Sequence, residues 1–98
     1  MHNTTSTRKQ SVKLTVSQPL GARDVADLAR VAMRYAADIT VQKHDLWANG
    51  KSCFDLLAMQ AHRGDTLQII AQGDDADQAI DALKQLLLPR PKESPDSR

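Results

Sequence analysis

Between residues 11 and 88 the spacing of apolar side chains switches repeatedly between two and three-to-four, and each stretch of one period is short. Val12, Leu14 and Val16 alternate with Lys13 and Thr15, which predicts a half-buried strand over 11–17. Pro19 and Gly21 break the chain. From Arg23 to Ala37 the period becomes helical, with Val25, Leu28, Ala29, Ala32 and Ala36 on one side and Asp27, Arg30 and Arg34 on the other. Ile39 and Val41 mark a second strand, 43–45 a turn, and Leu46 to Ala48 a short third strand. A second helix is predicted from about 50–52 to Gln60, opened by Ser52 and Asp55 at capping-box spacing. His62 to Asp65 ends it, and 66–71 alternates again. The third helix starts at Gly73-Asp74-Asp75, and its stripe is Ala76, Ala79, Ile80, Leu83, Leu86 and Leu87.

The order βαββαβα leaves no room for a parallel crossover at every step. It predicts an α+β open-faced sandwich, a four-stranded, mainly antiparallel sheet with three helices on one face. The ends differ in character. Residues 1–10 are polar without periodicity, and 89–98 (PRPKESPDSR) hold three prolines and no aliphatic side chain. Neither buries enough surface to offset ordering entropy, so both are expected to be disordered tails around one domain over 11–88.

Composition excludes several function classes. The chain carries 13 basic and 12 acidic residues, but 11–88 alone holds eight basic and ten acidic side chains, so the domain has no electrostatic footprint for nucleic acid. With three aromatics, Tyr35, Trp47 and Phe54, it has little from which to build a base-stacking platform. No apolar run approaches a bilayer span, so no membrane insertion is expected. The first ten residues lack a signal-peptide core, and one cysteine, Cys53, suits a reducing cytoplasm. Three histidines and one cysteine show no ligand spacing, so neither a metal nor another cofactor is expected. No base, nucleophile and orienting group fall at a recognisable spacing, which argues against an enzyme.

Four stretches carry a resemblance. Pro19-Leu20-Gly21-Ala22-Arg23-Asp24-Val25-Ala26 is similar to Gly-Leu-His-Ala-Arg-Pro-Ala-Ala, the active-site segment of the histidine-containing phosphocarrier (HPr) family of the bacterial sugar phosphotransferase system. Asn49-Gly50-Lys51-Ser52 resembles that family's Asn-x-Lys-Ser. Gly64-Asp65-Thr66-Leu67 and Gly73-Asp74-Asp75-Ala76 resemble its entries to the last strand and helix. The register runs without gaps over nearly all of 11–88. It implies the open-faced sandwich and a phosphocarrier ancestry.

The same register puts Gly21 where the family has its phosphoryl-accepting histidine, and Asp24 where it has proline. Arg23 keeps its identity. Glycine has no nitrogen nucleophile, so Gly21, Arg23 and Asp24 form a degenerate phosphohistidine site. Arg23 is expected either to pair with Asp24 or Asp27, or to meet a partner's carboxylate. His44 and His62 fall away from any predicted helix start and are expected to be exposed, with His62 near the end of the second helix, where its cation suits the dipole.

Ser52 falls on the family's regulatory serine, the target of an ATP-dependent kinase. A phosphoserine in a first helical turn is favoured by the dipole, and Lys51 supplies an expected counter-charge. The plain alternative is a cap and nothing more. The resemblance also implies a docking surface on the first two helices: Leu20, Arg23, Ala26, Arg30 and Met33, with Cys53, Phe54 and Leu57. The alternative is that Phe54 and Leu57 pack inward. Cys53 is read as a small apolar residue, and Trp47 as an anchor of the sheet edge against a helix.

The expected function is that of a binding module of the phosphotransferase network. It has lost histidine phosphotransfer and is switched at Ser52, similar in logic to catabolite-repression HPr paralogues. Its partners would be an Enzyme I-like protein, a kinase or a regulator. Two alternatives stay open: a phosphocarrier modified at another residue, His44 or His62, or an interaction domain outside that network.

Overall fold

The computed structural model describes residues 8–17 and 19–87. The elements are β1 (Lys9–Thr15), α1 (Ala22–Ala32), β2 (Asp38–Lys43), β3 (Leu46–Asn49), α2 (Cys53–Met59), β4 (Thr66–Gln72) and α3 (Ala76–Leu87). The four strands form one antiparallel sheet in the order β1-β4-β2-β3. All three helices lie on one face, so the architecture is the open-faced α+β sandwich that the alternating periods predict.

Strand parity explains this one-sidedness. Ile39, Val41, Ala48, Leu67, Ile69 and Ala71 point to the helices and are buried. From above, Val25, Leu28, Ala29 and Ala32 of α1 and Ala76, Ala79, Ile80 and Leu83 of α3 meet them. The largest fully buried side chains are Leu28, Leu67, Ile69, Leu83 and Val41, each contributing roughly 1.5–3 kcal/mol by burial.

Several boundaries move. β1 begins at Lys9, paired with Gln72, inside the stretch expected to be a tail. Pairing with β4 supplies order there that residues 9 and 10 lack on their own. The rest of the expected tails, 1–7 and 89–98, lies outside the described residues, as do Gln18 and Leu88. α1 stops at Ala32, with Met33 as its C-cap, rather than running to Ala37. The cause is distant in sequence. The Asp75 carboxylate accepts from the amides of Ala36 at 2.8 Å and Ala37 at 2.9 Å. Those two amides therefore leave the helical ladder. Gly73, at φ +150°, allows the approach, since a Cβ there would lie 2.7 Å from the Ala37 Cα.

Trp47 is a second correction. It neighbours buried Ala48 and so has the opposite parity, and it is 61% exposed. It borders a surface cavity together with Leu46 of β3 and Asp55, Ala58 and Met59 of α2, and the buried residues at that junction are Ala48, Leu56 and Met59.

Candidate functional site: two helix starts

Gly21 is the N-cap of α1, in ordinary extended backbone at φ −87°. Its carbonyl accepts the first helical bond from the Val25 amide at 3.1 Å. Its own amide donates to Asp24 Oδ2 at 3.0 Å. The preceding amide, of Leu20, donates to the Ala61 carbonyl at 3.1 Å, which ties this entry to the chain leaving α2. A Cβ built on Gly21 would meet no atom within 4 Å. The position is empty of side chain yet sterically open.

Arg23 is exposed, and no carboxylate among the described residues lies within ion-pair distance of it. The two expected partners are engaged elsewhere. Asp24 holds the Gly21 amide, and Asp27 pairs with Arg30 at 2.8 Å, an (i, i+3) contact on the helix surface.

Ser52 is the N-cap of α2, and its Oγ accepts from the Asp55 amide at 3.2 Å. Only this half of the expected capping box forms. The Asp55 carboxylate turns instead to the Asn49 amide, at 3.3 Å, and the Ser52 amide donates to the Asn49 carbonyl at 2.9 Å. Lys51 is not the expected counter-charge. Its Nζ donates to the Tyr35 carbonyl at 2.7 Å, part-buried against the turn after α1.

α1 and α2 pack side by side. Leu56 and Met59 face the core, which sends the other apolar residues of α2 outward. Phe54 is 87% exposed and Leu57 44%, so neither packs inward. Cys53, Ala26, Arg30 and Met33 are also exposed, and Leu20 is half-buried.

The histidines stand apart from both helix starts. His44 occupies the β2–β3 turn at φ +54°. His62 is exposed beyond α2, its Nδ1 3.8 Å from Asp65 Oδ2. The cation at the end of α2 is a different one. Lys43 is buried, and its Nζ donates to the Gln60 carbonyl at 2.8 Å and lies 3.4 Å from Asp65. The available signal was strand parity, because Lys43 continues the inward series Ile39, Val41. The His62 backbone amide, with Lys43 beside it, holds the Asp65 carboxyl below the usual range against a smaller desolvation effect.

Among the described residues no three His, Cys, Asp or Glu side chains cluster as a metal site would need, and no helix is long and apolar enough to cross a membrane.

A four-stranded antiparallel open-faced sandwich, with a helix entered through a Leu20–Arg23 segment beside a serine-capped one, is what the resemblance implied. The model of the PTS HPr component phosphorylation site matches residues 8–88. The chain belongs to the HPr family. A phosphocarrier protein HPr of Mycoplasma capricolum is 36% identical over 80 residues, covering 82% of this chain and 90% of the relative. The HPr-like protein Crh of Bacillus subtilis is 29% identical over 75 residues, covering 76% and 88%. A solved mycoplasma histidine-containing phosphocarrier protein superposes with a TM-score of 0.71 at 37% identity, over 81% of this chain and 90% of that one. The chain is thus an HPr-like protein of the phosphotransferase system by family.

Proposed function

We propose that this HPr-family chain is a cytoplasmic protein-binding module that no longer carries a phosphoryl group on a histidine at the start of α1. One observation carries the reading. The N-cap of α1, the position that the family register assigns to histidine, is Gly21, which presents only backbone and open space. A phosphocarrier needs a nucleophilic nitrogen at that point, and glycine has none. Ser52 has a hydroxyl at the start of α2 and is the residue we assign to regulatory phosphorylation. Its accessibility is partial, and the added charge would stand beside the positive end of the helix. With Lys51 held by the Tyr35 carbonyl, the dipole rather than a lysine provides the favourable field.

Binding is assigned to the exposed surface of α1 and α2, with Phe54, Leu57 and Met33 as apolar anchors and Arg23 and Arg30 at the rim. Leu20, Ala26 and Cys53 complete it. The partners on this reading are proteins of the phosphotransferase network: an Enzyme I-like protein, a kinase or a regulator. The chain acts by docking and is not an enzyme. Its domain comprises residues 11–88 together with the strand residues Lys9 and Gln10.

Intact mass spectrometry after two incubations tests the reading. One supplies phosphoenolpyruvate and Enzyme I, the other ATP and HPr kinase. A phosphoryl adduct with the kinase alone, lost in Ser52→Ala, is the expected result. An adduct formed with Enzyme I overturns the loss of phosphotransfer and directs attention to His44 and His62.

A further inference from the structure

The loss at Gly21 leaves open space, so a histidine could be placed there without a steric obstacle. What already stands beside that space is a carboxylate. Asp24 is the third residue of α1, and its Oδ2 is 3.0 Å from the Gly21 amide, one covalent bond from the carbon that would bear a new side chain. We propose that Asp24 is a second, independent lock on this site: a built-in anion at the start of α1 that excludes a phosphoryl group even when position 21 can accept one. This inference rests on the proposed docking function.

The free amides at a helix start lack intrahelical acceptors and favour a nearby anion. Here the Asp24 carboxylate of α1 already occupies one of them, the Gly21 amide. A phosphoryl group on an imidazole at position 21 would share the first turn with the Asp24 carboxylate. Like charges a few ångströms apart at a protein surface disfavour each other by more than a factor of ten. Arg23 stands next in sequence, yet it makes no ion pair with Asp24 that would cancel the charge. In the transfer itself, the lone pair of the imidazole nitrogen attacks phosphorus and an N–P bond forms. The bond from phosphorus to the donor breaks, its electron pair returning to the donor. Asp24 opposes the step by repelling the incoming phosphoryl oxygens.

The test compares initial rates of adduct formation with phosphoenolpyruvate and Enzyme I. The variants are Gly21→His alone and Gly21→His combined with Asp24→Asn, Asp24→Glu or Asp81→Asn, each checked by thermal melt. Asp81 is exposed on α3 and controls for overall charge. Adding Asp24→Asn is expected to raise the rate about tenfold or more. Asp24→Glu, which keeps the charge, and Asp81→Asn are expected to stay within about twofold of Gly21→His. Asp24→Ala replaces Asp24→Asn if that variant melts early. Equal rates with and without the Asp24 carboxylate overturn the proposal. So does absence of an adduct in the double variant while it still binds Enzyme I. Binding to Enzyme I and to the kinase is measured in parallel; if neither wild type nor variants bind Enzyme I, the lock has no phosphoryl donor to exclude and falls, whereas the docking function falls only if the kinase is not bound either.

Discussion

The starts of α1 and α2 have the same local grammar and opposite outcomes. Each has a cap residue followed three positions later by aspartate, Gly21 with Asp24 and Ser52 with Asp55. At α1 the aspartate reaches back to the cap amide, and the cap has no side chain to reach forward. At α2 the serine reaches forward to the aspartate amide, and the carboxylate turns to Asn49 instead. Each helix thus builds a different half of the capping box. The difference teaches that the cap residue decides more than stability. One start retains a hydroxyl, and the other retains only an anion.

The comparison can be broken most directly by chemistry. Ser52→Ala is expected to abolish the kinase-dependent adduct, whereas Gly21→Ser should not create a second one, as intact mass spectrometry would reveal. A hydroxyl phosphorylated at position 21 would mean that the two starts are equivalent to the kinase. The next effect concerns binding. Phe54→Ala should weaken association with Enzyme I about tenfold while shifting Tm by only about a degree or two, since Phe54 is almost wholly exposed. Calorimetric titration and a thermal melt separate the two readouts.

Asp75 extends the comparison to a third carboxylate, one that serves another element. Its pKa is lowered, first by the Ala36 amide and then by Ala37, against a desolvation effect between them. A depressed carboxyl contributes stability above its unfolded pKa and loses it as pH falls through the folded value. Stability is therefore expected to fall as pH drops below about 4, with Asp65 contributing in the same direction. Asp75→Asn should be less stable at neutral pH and show a shallower acid decline in urea melts. An unchanged acid slope would remove Asp75 from this account. Among the caps, Ser52→Ala should cost about 1 kcal/mol in chemical denaturation. The smallest effect is expected for Asp24→Ala, about 0.5 kcal/mol, because only a surface bond and a dipole contact are lost. A larger loss at Asp24 than at Ser52 would invert the comparison.

Much of this was legible in the residues. Alternation in 12–16, 39–42 and 66–71 and the stripe from Ala76 to Leu87 express side-chain periods that belong to each segment alone. The absence of a nucleophile at Gly21 and the cap at Ser52 are equally local. The fate of Phe54 and Leu57 was not legible. α2 is apolar on more than one face, and only its seating on the sheet chose Leu56 and Met59 for the core. Lys43 was hidden for another reason: the sequence put it in a turn over 43–45, whereas β2 runs through Lys43 and its inward parity meets the Gln60 carbonyl.

By itself, then, the sequence determined the order and type of the seven elements, the missing side chain at the start of α1 and the hydroxyl at the start of α2. Tertiary structure alone decided that α1 ends at Ala32, that Lys51 serves the Tyr35 carbonyl, that Trp47 is mostly exposed and that Phe54 is left outside. The physical reason is range. Periodicity and capping act within one turn or one strand, whereas the Asp75 carboxylate that binds the amides of Ala36 and Ala37 comes from 39 and 38 residues along the chain.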